Sequence, residues 1–230
     1  MNAFVQNFIK KFIIQGLGLL LLGLVSLKVP FEPMKPRPKD EHTQQLWQDY
    51  RAGDPTSLAQ LMQLNYSDLF HWGVRFCPER EMVKDCIQEL FLSLWQIHAT
   101  IGEVENVRAY LLKSLKTKLL RELSKQHNHF YELNDDYDFD VLFSADLRMI
   151  EDEYEVYQLK RLEHVLGQLP ERQKELIYLR FYQDLSYDQI AETMQIGRQS
   201  LYNLLQKALT SLRKHWQVGL NLLLVAMWVR

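Results

Sequence analysis

The chain has 230 residues, room for one large domain or two small ones, and 47% are hydrophobic, which excludes a disordered chain. Only nine Gly and seven Pro are spread over that length, a bias toward helix. A net charge of −2 excludes a globally basic nucleic-acid binder and moves the question to how charge is distributed. The two cysteines, Cys77 and Cys86, lie outside any C-x-x-C pair and read as small buried hydrophobes of a reduced, cytoplasmic chain.

Residues 1–39 form an apolar and proline-rich extension. Phe12 to Val29 is a nearly unbroken apolar run behind Lys10 and Lys11, somewhat short of the roughly 20 residues that span a bilayer. The run ends at Val29-Pro-Phe-Glu-Pro-Met34-Lys-Pro-Arg-Pro38, and no A-x-A-like cleavage site follows it. Three readings stay open: a membrane anchor, a secretory signal, or upstream codons read from a start placed too early, with Met34 as the true start.

Residues 40–126 carry helical periodicity. Leu46, Trp47 and Tyr50 recur at three- and four-residue spacing, and Gly53-Asp54-Pro55 then breaks the chain. Leu58, Leu61, Met62 and Leu64 continue the stripe on a second helix. Pro78 opens a third, with Val83, Ile87, Leu90, Phe91, Leu94 and Trp95 on its apolar face. Gly102 marks a loop, and a fourth helix is expected from about Val107 to Lys125.

Residues 127–156 change character: Glu132 to Glu155 holds ten acids against one base, Arg148. Such a block reads as a solvated inter-domain linker, in which Tyr137, Phe139, Val141, Leu142 and Phe143 are the candidates for docking. Helical pattern resumes over 157–216, and an apolar tail, 217–230, is too short to span a membrane.

The strongest local signal lies between Asp184 and Lys214. Ser186 and Gln189 make a capping box, Ile190, Ala191 and Met194 give a short inward face, and Ile196-Gly197 supplies a turn. The next helix turns Leu201, Leu204, Leu205, Ala208, Leu209 and Leu212 inward. Its other face carries Arg198, Gln199, Ser200, Tyr202, Asn203, Gln206 and Lys207. Two helices joined this way make a helix-turn-helix whose second helix reads the major groove, Arg198 suiting guanine and Gln199 or Asn203 adenine. From Lys160 to Lys214 nine bases oppose six acids, a modest local excess suited to binding DNA beside a larger partner.

The stretch Asp85-Cys-Ile-Gln-Glu-Leu-Phe-Leu-Ser-Leu-Trp95 resembles the D-x-x-Q-E-x-F-x-x-L-W signature of sigma-70 region 2. Leu162 to Phe181 is similar to region 4.1, and the stretch through Arg213 to region 4.2. With no room for a region 3, the layout resembles the extracytoplasmic-function group of RNA polymerase sigma factors. The resemblance implies an all-α chain of two small helical domains joined by the acidic linker, acting as an alternative sigma factor. It implies that Asp85, Gln88 and Glu89 meet the β′ clamp helices of core polymerase and that region 4 meets the β flap. Arg108, Lys113, Lys116, Thr117 and Arg121 are then expected at the −10 element, the loop from His98 to Asn106 at an unstacked base, and the helix from Arg198 to Lys207 at −35. Leu115-Lys116-Thr117 stands where the family usually has an A-R-N-like triplet. Family members are often held by an anti-sigma protein.

Two other classes stay open on sequence: a helix-turn-helix regulator that is no polymerase subunit, and a membrane-tethered signalling protein. His42, His71, His98, His127, His129, His164 and His215 form no ligand-spaced cluster with the cysteines, and no Gly-rich phosphate loop occurs. No catalytic residue, metal or cofactor is therefore expected.

Overall fold

A computed structural model of the chain describes residues 38–127, 137–140, 160 and 163–228, and its regular elements are all helical among them. They are α1 (Pro38–Arg51), α2 (Pro55–Gly73), α3 (Arg80–Ile97), α4 (Val107–His127), α5 (Glu171–Ile177) with the π-helical turn Tyr178–Tyr182, α6 (Tyr187–Met194) and α7 (Arg198–Trp228). Residues 1–37 of the extension, most of the acidic linker and the end of the apolar tail lie outside the described residues. No helix among the described residues is long and apolar enough to cross a membrane.

The described residues divide into two compact units, one holding 38–127, 137–139 and Leu185–Ile196, the other holding Asp140, 160, 163–184 and 197–228. In the first, α4 packs against α1, α2, α3 and α6. Gly53 (φ +97) turns the chain between α1 and α2, a backbone region that glycine enters without steric cost. Asp54 then caps α2, accepting from the Thr56 and Ser57 amides at 3.0 Å each. These hydrogen bonds, that of the Ser57 hydroxyl foremost, hold the Asp54 carboxyl below its ordinary range. The Tyr50 hydroxyl donates to the Leu94 carbonyl, and burial pushes that phenol up to about 12.

The buried face of α2 is Ser57, Leu61, Asn65, Leu69 and Trp72; of the expected stripe of Leu58, Leu61, Met62 and Leu64, Leu61 is buried and the other three are half-buried. Asn65 enters the core by donating from Nδ2 to the Leu61 carbonyl one turn back, at 2.8 Å. A second correction concerns Trp95. Phe91 and Leu94 are core residues, whereas Trp95 is 37% exposed and stacks on His98 with ring centres 4.8 Å apart.

Both cysteines are buried, as expected, and burial pushes the Cys86 thiol up to about 11. Tyr137 and Phe139 lie in the core of the first unit, against Trp72 and Phe76. In the second unit α5 packs on α7, and Leu176, Leu179, Leu201, Leu205, Ala208 and Leu212 are buried. The π turn is closed by the Gln183 amide donating to the Tyr178 carbonyl at 3.0 Å, and Tyr178 stacks on Tyr182.

At Gly73 helix α2 lies close against α3 and α4. A Cβ there would lie 2.5 Å from Val83 Cγ1 and 3.3 Å from Leu119 Cδ1. Gly73→Ala should therefore destabilise the first unit by about 1–3 kcal/mol, read as a lower urea midpoint. Adding Val83→Ala should recover part of the loss, because it removes the clashing methyls; simple additivity of the two costs would contradict the close approach.

Candidate nucleic-acid interface

The helix-turn-helix stretch has the local chemistry expected of it. The Ser186 hydroxyl accepts from the Gln189 amide at 3.3 Å, and the Gln189 side chain accepts from the Ser186 amide at 2.8 Å. The turn differs in detail. The left-handed residue is Gln195 (φ +55), which caps α6, rather than Gly197. Gly197 instead precedes α7, its carbonyl accepting from the Leu201 amide at 3.0 Å, with open space around its Cα.

Helix α7 separates its two faces cleanly. Leu201, Leu205, Ala208 and Leu212 are buried, and Leu204 and Leu209 are half-buried. Arg198, Gln199, Ser200, Asn203, Gln206 and Lys207 are all exposed, and Tyr202 is half-buried at their edge. Gln199 donates to Asn203 at 3.3 Å, which aligns two amide side chains along one ridge. A ridge of one guanidinium, one ammonium and several amides can donate to phosphates and pair with base edges.

The cations of α4 sort into two classes. Lys113, Thr117 and Lys118 are half-buried and Arg121 is exposed; with Lys125, Glu89 and Glu122 they line a groove of about 540 Å³ between α3 and α4. Arg108 and Lys116 turn inward instead, a correction to their place in an open DNA face. Arg108 pairs with Asp68 at 3.2 Å and its side chain is 6% exposed. Lys116 is 5% exposed; its ammonium donates to the Tyr137 hydroxyl at 3.2 Å and sits 4.3 Å from that ring's centre and 5.4 Å from that of Phe76. A cationic side chain on a helix is ordinarily assigned to solvent, and periodicity gives no sign that α4 is covered on this side as well.

The loop 98–106 is fastened to α1. Gln44 donates to the Val104 carbonyl at 2.7 Å, Arg51 donates to the Ile101 carbonyl at 3.0 Å, and Arg51 pairs with Glu103 at 3.6 Å. Between them lies a cavity of about 440 Å³, lined by Gln44, Trp47, Gln48, Arg51, Glu103, Val104 and Glu105. Asn106 accepts from the Ala109 amide at 2.8 Å and so caps α4. Glu192 of α6 is half-buried, and burial raises its pKa against the opposing pull of Lys113.

On α3, Asp85, Gln88 and Glu89 are exposed together, as expected, and Leu92 follows them at 64% exposure. Sequence reasoning left Leu92 out, although the three-residue step from Glu89 was there to find it. Glu89 receives a hydrogen bond from Lys118 at 2.7 Å, which holds its carboxyl below the ordinary range. Lys118→Met should return the Glu89 titration, followed by carboxyl NMR, upward to that range. The pair's contribution is present above the unfolded carboxyl's pKa and is lost as pH falls through the folded value, so the two proteins should converge in stability at low pH. An unmoved Glu89 titration would place Lys118 elsewhere in solution.

No group of three or more His, Cys, Asp or Glu that could hold a metal occurs among the described residues. Residues 159–212 match the family described as Sigma-70, region 4. A solved structure of CnrH in complex with the cytosolic domain of CnrY is 19% identical, with a TM-score of 0.53 over 77% of this chain and 98% of that one. The sigma factor RpoE, solved in complex with the anti-sigma factor NepR from Bartonella quintana, is 16% identical over 70% of this chain and 96% of that one, with a TM-score of 0.49. No curated protein sequence matches. The likeness to CnrH speaks for the fold, and the match over the helix-turn-helix for the family. The helix-turn-helix lies within the stretch, residues 159–212, that is similar to sigma-70 region 4.

Proposed function

We propose that the chain is an alternative sigma factor of the extracytoplasmic-function group, which binds core RNA polymerase and directs it to particular promoters. The observation that carries this reading is the face of α7. Within the stretch that matches region 4, the residues suited to base edges and phosphates are exposed and the apolar ones are buried. Arg198, Gln199, Ser200, Tyr202, Asn203, Gln206 and Lys207 then meet the −35 element.

At −10 the reading assigns Lys113, Thr117 and Arg121 to the strand, joined by Lys118 on the same groove. Arg108 and Lys116 support this face from behind. The cavity between α1 and the loop 98–106 is the proposed seat of an unstacked base, with Trp47 and Gln48 among its walls. Asp85, Gln88 and Glu89, with the exposed Leu92 beside them, form the polymerase-facing surface of α3, toward the β′ clamp helices, and region 4 lies on the β flap. An apolar residue flanked by carboxylates is the composition of a helix docked on another helix. Duplex opening is driven by binding to unstacked bases, so the chain itself makes or breaks no covalent bond and needs no cofactor. Its place of work is the cytoplasm, and an anti-sigma protein, seated on it as CnrY's cytosolic domain is on CnrH, is its expected regulator.

Co-elution of the full chain with sigma-free core polymerase tests the reading, with duplex promoter binding measured alongside. Arg198→Ala should weaken promoter binding roughly 5- to 150-fold, the range of one bidentate base contact, and leave core binding unchanged. Asp85→Lys should do the reverse. Promoter binding without core binding by the unaltered chain would make it a plain regulator; a loss of both activities in either variant would break the assignment of the two surfaces.

A further inference from the structure

Helix α6 opens the stretch read above as a helix-turn-helix, yet it belongs to the first unit, where it packs on α4. Ile190, Thr193 and Met194 are buried, and Thr193 satisfies its hydroxyl by donating to the Gln189 carbonyl at 2.7 Å. Glu192 is half-buried, within electrostatic reach of Lys113 on α4 and of Glu105 at the end of the loop 98–106. Lys113 lines the α3–α4 groove and Glu105 the cavity between α1 and that loop, so α6 stands at both places assigned to the −10 strand. Its carboxylate meets Lys113 as a phosphate would, while burial and Glu105 oppose the charge. Such a contact rests on packing and is weakened by its own acid, a balance that a competing surface can tip.

We infer that α6 packed on α4 is a self-masking contact: the free chain covers its own −10 surface, and α6 leaves α4 when core polymerase is bound. This rests on the sigma-factor reading above. The chain itself requires the separation. Six steps of backbone lead from Glu192 to Arg198, at most ~22 Å even when extended. Packed helices add about 10 Å between their axes. Two elements on successive turns of B-form DNA already lie ~35 Å apart. With α6 on α4, Lys113 and Arg198 therefore cannot serve separate elements. Binding of core polymerase to the Asp85 surface and to region 4 would hold the two recognition helices apart and expose both −10 places together. The free chain binds DNA only through its open fraction, so its apparent affinity is lowered by that fraction. Glu192 is in that sense a regulatory residue that touches no DNA.

The test uses the full chain with Glu105→Cys and Glu192→Cys, joined by a short bismaleimide that a reductant cleaves; Cys77 and Cys86 are buried. The link should form in the folded chain faster than in urea, and core polymerase should suppress it. A link no faster than in urea, or as fast with core and promoter bound, would overturn the inference. Masking is read by the binding of a fluorescent single-stranded oligonucleotide of mixed sequence. Cleaving the link should tighten that binding at least fivefold, the lower end of ordinary coupling between two sites. Unchanged binding would show that α6 covers nothing DNA needs and would overturn the masking. A second variant works without a label. Glu192→Lys sets like charges together at Lys113 and should raise the free chain's affinity for the oligonucleotide at least fivefold, while that of the core-bound chain changes far less. An equal gain in both would reduce the effect to added charge and overturn the inference. Failure of the unaltered chain to bind core would overturn the sigma reading and the part given to polymerase; linking and oligonucleotide binding in the free chain would still decide the contact.

Discussion

Helix α4 is asked to do two incompatible things, and the first unit is arranged around that conflict. Its core side, Val107, Ala109, Leu111, Leu112, Leu115, Leu119 and Leu120, is buried under α1, α2 and α3. Under the proposed function, its remaining surface presents cations to a polyanion. Removing several such leucines from water contributes on the order of 2 kcal/mol each, which fixes the helix in place regardless of what its charged residues prefer. Arg108 and Lys116 fall on the covered side of that helix and are accommodated there, the first by Asp68 and the second by two aromatic rings and a phenol. Lys113, Thr117, Lys118 and Arg121 fall on the other side and line the groove toward α3.

The same division of faces explains what could be read from the chain before its structure. Helix α7 lies against a core on one side only, so the spacing of Leu201, Leu205, Ala208 and Leu212 defined its polar face without ambiguity. The capping box at Ser186 and Gln189 was legible because both partners are local. Helix α4 is covered by several neighbours, and a 3.6-residue period cannot report how many sides are covered; Arg108 and Lys116 were misplaced for that reason. Asn65 was missed because its Nδ2 donates within its own helix, to the Leu61 carbonyl, and a polarity scale gives no sign of that. Trp95 was placed in the core because size and apolarity suggest it, yet it stands where α3 meets the loop and covers His98 instead.

The docking of Tyr137 and Phe139 was partly visible. Aromatic residues in an acidic stretch stand out, but their destination depends on Trp72, Phe76 and Lys116, which are distant in sequence. The turn at Gln195 was displaced by two residues from the glycine expected to make it, since the cap of α6 and the start of α7 each needs its own geometry. Two polar surfaces emerge, each within its own unit: the α3–α4 groove with the exposed edge of α3, and the ridge of α7.

The central claim is that these surfaces serve one polymerase on one promoter. The direct measurement is transcription by sigma-free core polymerase and the purified chain on genomic DNA of the organism that encodes it, with the RNA 5′ ends sequenced. The account predicts initiation that depends on the chain and converges on start sites sharing two upstream elements at a narrow range of spacings. Start sites unaffected by the chain, or sharing no upstream element, would contradict it.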